Sequence, residues 1–175
     1  VTVGNVAATG AGAPTTTTAT TATATTPLPT GDPTKADSIG GIAAGEVNAA
    51  QMGDFSVDDF ASFDINQAAA FTTDAVGSID KDQIAAFDPT AIAGFGEEQV
   101  AAFDPTAIAG FDKDQIAGFN PSAVAGFVKD QVAEFVPEAV AGFDKDQVAG
   151  FNPSAVAGFD KDQVAAFVPE AVAGF

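Results

Sequence analysis

The side chains of this sequence that can do chemistry are carboxylates, and they recur in pairs. Asp80/Asp82, Asp112/Asp114, Asp144/Asp146 and Asp160/Asp162 share one slot of a repeat, and Glu97-Glu98 occupies it once. Oxygen-only pairs suit a hard cation, so a ladder of weak Ca2+ sites is one reading. Acid–base catalysis of the glycosidase kind is another, but it needs two carboxyls in unlike environments within one cleft. These pairs are equivalent copies, with Lys81, Lys113, Lys145 and Lys161 set between the carboxylates. That pattern reads as helix caps on a solvated face, with neither an EF-hand loop nor a glycine-rich calcium nonapeptide around it. The expectation is a protein without catalysis or cofactor, weak Ca2+ binding being the one metal chemistry left open.

The rest of the composition removes other chemistries. His, Cys, Trp and Tyr are absent from the 175 residues. No disulfide, thiolate metal site, imidazole ligand, or Ser-His or Cys-His nucleophile can be built without them. Six basic residues against 24 acidic ones leave a formal charge of −18. That charge repels phosphate backbones, so nucleic acid is not an expected partner. No apolar run approaches the ~20 residues of a membrane span, and no segment has the layout of a signal peptide. The sequence opens at Val1 rather than Met, the expected look of a processed product.

The elements that must position these side chains fall into two compositional parts. Residues 1–39 read as a linker or arm. Thr15, Thr16, Thr17, Thr18, Thr20, Thr21, Thr23, Thr25 and Thr26 stand together with only Ala between them, and Pro27, Pro29 and Pro33 follow. Such a tract cannot bury enough apolar surface to offset its ordering entropy. Dense Thr beside Pro is also the composition of O-glycosylated stalks. These hydroxyls are therefore candidate glycan sites, with an unmodified linker as the alternative.

Residues 40–175 read as one repeat, degenerate over 40–79 and regular over 80–175. Stepping by eight from Ile39 meets Val47, Phe55, Phe63, Phe71 and Ile79. The same step continues as a ladder through Phe87, Phe95, Phe103, Phe111, Phe119, Phe127, Phe135, Phe143, Phe151, Phe159 and Phe167 to Phe175. A second apolar residue stands three before each regular anchor, as at Ile84, Val100 and Ile116. Gln recurs every sixteen residues from Gln51 to Gln163, and Pro every sixteen from Pro89 to Pro169, so two octad types alternate. Self-similarity this strict governs the fold. The Phe ladder reads as packed core rather than as a platform for an aromatic ligand.

One long helix is excluded, because eight residues at ~100° each leave successive Phe about 80° apart around the axis. A flat strand is excluded too, since octad positions five and eight point to opposite faces. A short helix per octad satisfies the local chemistry. Asp112 or Asn120 suits an N-cap, Pro121 the first helical position, and Asp112 with Gln115 a capping box, while Gly118 or Gly126 allows left-handed closure. The expected fold is mainly α: a repeat solenoid of short helices, one per octad and two octads per 16-residue coil, Phe inside and carboxylates outside. A β-solenoid with short strands at Gln-Val-Ala is the alternative, disfavoured by Ala and Pro.

The runs Asp-Lys-Asp-Gln-Ile-Ala-Gly-Phe (112–119) and Asn-Pro-Ser-Ala-Val-Ala-Gly-Phe (120–127) carry a resemblance. They resemble octapeptide-repeat arrays, of the form x-P/x-x-Q/A-I/V-A-A/G-L/F, in large secreted and cell-surface proteins. The resemblance spans residues 40–175 and implies an extracellular or cell-surface scaffold, stalk, adhesin or fibre component. Two functions follow as expectations. One is a structural subunit of an extracellular filament or surface fibre, self-associating into a polymer and carrying covalent glycans. The other is an adhesin stalk that presents a binding domain outside this sequence. Both expect the solenoid end at Phe175 to be covered, by another copy or by further chain.

Overall fold

The computed structural model describes residues 47–53 and 55–175, and every octad among them holds one short helix. Most of the regular glutamine octads form six-residue helices, such as Lys81–Ala86, Lys113–Gly118 and Lys145–Gly150, while Lys129–Val132 is four residues. Proline octads form four-residue turns such as Pro89–Ile92 and Pro121–Val124, or the 3-10 helix Pro105–Gly110. The caps explain the starts. Asp80 Oδ1 accepts from the N–H groups of Asp82 and Gln83, both at 2.9 Å, while Gln83 Oε1 accepts from the Asp80 N–H at 2.9 Å. This reciprocal box satisfies donors that a helix start otherwise leaves unpaired. In the next octad Asp88 Oδ1 accepts from the Thr90 N–H at 2.8 Å, and Pro89 stands where a missing N–H costs nothing. Two extended residues then end each long helix: Phe87 at φ −59°, ψ 136° and Asp88 at φ −62°, ψ 133°.

The molecule is a helical repeat solenoid. Among the described residues there is no strand, and the single isolated bridge joins Val47 to Phe71 in parallel. The coil, however, is longer than the sequence period. Lys81–Ala86 packs on Pro105–Gly110, Pro89–Ile92 on Lys113–Gly118, and Pro121–Val124 on Lys145–Gly150. Each pair starts 24 residues apart, so one turn takes three octads and the expected two-octad, 16-residue coil is corrected. The reason lies at the corners. A two-octad coil needs the chain to reverse after every helix, whereas here each helix packs on the one three octads later. Three corners close the turn. The sixteen-residue period is an alternation of octad types laid over this three-sided coil.

Rings fill the axis. Consecutive Phe residues meet edge to face, with centroids 5.1 Å apart for Phe95–Phe103 and 5.2 Å for Phe111–Phe119. Rings one turn apart meet at a tilt, as at 6.1 Å for Phe127–Phe151. Ile84, Ile92, Val100 and Ile108 are fully buried between these rings. In the degenerate octads Met52, Phe60 and Ala68 take the same inner position and are also buried.

The glycines do something other than left-handed closure. None of the described ones has a positive φ. A Cβ at Gly110 would overlap the Lys81 carbonyl oxygen, and one at Gly142 would overlap that of Lys113. Both positions lie where one turn crosses the next, so glycine is there to let two backbones approach.

Candidate functional site: the outer faces and a glutamine ladder

The carboxylate pairs lie outside. Asp80/Asp82, Asp112/Asp114, Asp144/Asp146, Asp160/Asp162 and Glu97/Glu98 are all exposed, with the intervening lysines beside them. The first aspartate of each pair is committed to its own helix: Asp112 Oδ1 accepts from the Gln115 N–H at 2.8 Å, and Asp144 Oδ1 from the Gln147 N–H at 2.8 Å. Lys161 Nζ reaches Asp162 at 2.6 Å, but both side chains are largely in solvent, where such a pair contributes little. Among the described residues, no three carboxylates converge as a metal site.

At two caps hydrogen bonds favour the ionised carboxylate. Asp88 and Asp104 are held below the ordinary 3.8, first by the hydroxyls of Thr90 and Thr106 and then by the backbone N–H groups of the same residues. The hydroxyls donate at 2.6 Å in both. Asn120 and Asn152 make the same turn with Ser122 and Ser154, without charge.

The ladder residues Phe87, Phe95, Phe103, Phe111, Phe119, Phe127, Phe135, Phe143, Phe151 and Phe167 are buried, and Phe159 is half-buried. No ring is presented to a ligand along that length. The threonines from Thr15 to Thr26 lie outside the described residues.

The most specific polar feature is one that sequence reasoning took only as a cap. Gln115 Oε1 accepts from the Asp112 N–H at 3.0 Å, and its Nε2 donates to Ile84 O and Phe87 O, both at 2.8 Å. These acceptors end a helix 31 and 28 residues earlier. Gln99, Gln131, Gln147 and Gln163 repeat the arrangement, the last donating to Val132 O at 3.0 Å and Phe135 O at 2.7 Å. Each amide thus uses its acceptor and both donors, and gives a partner to a Phe carbonyl just past a helix end, while the other carbonyl, as at Ile84 O, also accepts from the following Phe N–H. The signal was available: a capping box accepts Glu as readily as Gln, yet the slot is Gln at every sixteenth residue.

The surface of the described residues carries shallow grooves. One of about 600 Å3 is open and lined by Phe71, Thr72, Thr73, Glu97 and Glu98. A second, about 370 Å3, lies between Ile79 and Asp104. Another, about 350 Å3 and mainly apolar, is lined by Val148, Phe151, Pro153, Val156 and Phe175. The one hydroxyl–carboxylate pair identified above on these walls, Thr106 and Asp104, is the helix cap already described. Among the described residues no helix is long and apolar enough to cross a membrane. Comparison with protein-family models, curated proteins and solved structures finds no match.

Proposed function

We propose that this chain is a structural subunit of an extracellular filament or surface fibre and that it performs no catalysis. The observation that carries this reading is the continuity of the core. One ring per octad meets the next from Phe87 to Phe175, with centroids never more than 5.5 Å apart. A rod built this way has the same interior at every level and an acidic exterior at every level. Uniformity of that kind suits spacing and stiffness, whereas a catalytic cleft needs unlike groups gathered at one place. The resemblance to surface octapeptide arrays, and a threonine tract fit to carry glycans, support the same role.

Electron microscopy of the native material tests it. The reading expects filaments whose subunit cross-section matches a three-sided solenoid. Single unpolymerised stalks ending in another domain would instead favour the adhesin alternative. Intact-mass measurement of the native chain addresses the glycans. The expectation is a mass above that of the bare polypeptide by whole hexose or hexosamine increments.

A further inference from the structure

The octads 88–95 and 104–111 have the same eight residues, Asp-Pro-Thr-Ala-Ile-Ala-Gly-Phe, and different backbones. The first holds the four-residue α-turn Pro89–Ile92, the second the 3-10 helix Pro105–Gly110. Their caps are alike, Asp88 and Asp104 each accepting at 2.8 Å from the N–H two residues on. What differs is the stack around them. The later octad lying on 88–95 is the one with Lys113–Gly118, and the later octad lying on 104–111 is the one with Lys129–Val132. Helix type at these two places follows the neighbours rather than the sequence.

Three irregular features meet in that second neighbour, octad 128–135. Its helix has four residues, where the other regular glutamine octads have six. Val128 stands in the cap place and offers no acceptor, so only half of the box remains, the Val128 N–H donating to Gln131 Oε1 at 2.9 Å. Glu134 stands at position seven, where the rest of the regular array has Gly or Ala. At the matching crossing one octad pair earlier, even a Cβ on Gly118 would overlap Pro89 O. Octad 136–143 follows with Val136 in the cap place, again without a side-chain bond. Gly96 and Val168 lack that bond too, but 128 and 136 are the only successive caps missing from residue 80 onward.

We propose that residues 128–143 are a yielding point built into the solenoid. A helix without its cap leaves its first donors to water and opens more readily, and the 3-10 helix beneath has poorer hydrogen-bond geometry than an α-turn. When the rod is bent or destabilised, it opens where 128–135 crosses 104–111 before it opens at other crossings within the regular array. The turns on either side keep their caps and stay closed. The rings are not the weak part, since Phe135 meets Phe127 at 5.1 Å and Phe143 at 5.5 Å as elsewhere. The yielding point belongs to the rod itself and goes beyond the fibre reading, holding equally for a filament subunit and for a stalk.

Native-state hydrogen exchange of the full 175-residue chain in low urea tests it. The readout is the amide that closes each helix: Val132 to Val128 O, Ile116 to Asp112 O and Val148 to Asp144 O, all at 3.0 Å, and Val140 to Val136 O at 3.3 Å. Val132 and Val140 are expected to be protected about ten-fold less than Ile116 and Val148. Val148 lies nearer the end of the chain tested, so fraying from that end would give the opposite order. The combined variant Val128→Asp, Glu134→Ala and Val136→Asn is expected to raise protection at Val132 to that of Ile116. Should it misfold, Asp112→Val with Asn120→Val reads the effect in reverse, with protection at Ile116 expected to fall to that of Val132. Protection at Val132 equal to or above that of Ile116, or protection unmoved by the exchange of caps, overturns the proposal. Either result leaves the fibre reading to electron microscopy, and an absence of filaments would leave the yielding point untouched.

Discussion

Glutamine octads and proline octads each bring one Phe and one branched apolar residue to the axis, but they hold the solenoid together in different ways. Glutamine octads tie turns by side chain, the amides of Gln99, Gln115, Gln131, Gln147 and Gln163 each reaching a helix end four octads back. Proline octads have Ala91, Ala107, Ala123 and Ala139 in that slot, all buried. They carry glycine at position seven without exception, at Gly94, Gly110, Gly126, Gly142, Gly158 and Gly174, whereas glutamine octads also accept Ala86, Ala102, Glu134 and Ala166. An odd number of octads per turn lays each type on the other. An even reach for the amide returns it to its own type. The amide bonds therefore come from one type, while the close approach is made at every proline octad and at Gly118 and Gly150 of the glutamine octads, and the two-fold alternation works because the coil is three-fold.

What the two types share should show the largest effect. Phe119 belongs to a glutamine octad and Phe127 to a proline octad, and both are fully enclosed by rings. Phe119→Ala and Phe127→Ala are each expected to cost about 4 kcal/mol in denaturant unfolding, by lost transfer energy and an unfilled cavity. Costs differing by more than about 2 kcal/mol would mean that the core is not equivalent in the two octad types.

The amide slot should separate them. Gln131 is 0 % exposed and donates to Val100 O at 2.9 Å and Phe103 O at 2.8 Å. Gln131→Glu keeps the cap but loses both donors and buries a charge against carbonyls, an expected cost of about 3 kcal/mol at neutral pH. The sign with pH follows. Burial raises the folded-state pKa of the new carboxyl above its unfolded value, so the penalty is greatest above that raised value. It is relieved as pH falls through it, where the protonated acid can donate once. Urea midpoints of variant and parent at pH 7 and pH 5 measure this. A gap that stays constant between the two would argue against a donor role for Gln131.

Much of this was legible in the residues. The eight-residue register, one helix per octad, caps at Asp112 and Asn120, and Pro121 at a helix start all follow from local chemistry, which acts within a few residues. The number of octads per turn does not. It is set by the angle at each corner, and Phe87-Asp88 shows no composition that distinguishes a third of a turn from a half. The glycines misled for a related reason. Gly118 near a helix end suggests left-handed closure, but its task is set by a backbone one turn away: an added Cβ would overlap Pro89 O. Gln115 was read through its local bond alone, because its partners at Ile84 and Phe87 are neighbours only once the coil has closed.

The alternation itself can be broken by length. Removing residues 112–127, one octad of each type, keeps unlike octads stacked and every amide facing its own type. Removing only residues 120–127 lays the octad 128–135 on the octad 96–103. Glu134 then takes the place of Gly126, where any Cβ would overlap Glu97 O. The smaller deletion is therefore expected to be the more damaging, by about 2 kcal/mol, from overpacking at that crossing. Thermal or urea unfolding of the two chains checks this. A smaller deletion as stable as the larger one would mean that the two octad types are interchangeable as stacking partners.

The smallest effect concerns charge at the proline-octad caps. Asp88 and Asp104 are held below 3.8 by a threonine hydroxyl first and a backbone N–H second. A depressed folded value means that the cap stabilises above the unfolded pKa and loses that contribution as pH falls through the lower folded one. Thr90→Val removes the hydroxyl alone. In a carboxyl-detected NMR titration the Asp88 midpoint is expected to move up toward 3.8 while Asp104 stays where it was. Asp88→Asn should keep the turn, as Asn120 and Asn152 do, and remove this part of the acid dependence. Mild acid also lowers the self-repulsion of a chain carrying −18, which acts in the opposite direction on total stability. For that reason the site-resolved midpoint, rather than the melting curve, tells the two apart. An Asp88 midpoint unmoved by Thr90→Val would assign the effect to the backbone N–H, and the serine caps would then hold as well as the threonine ones.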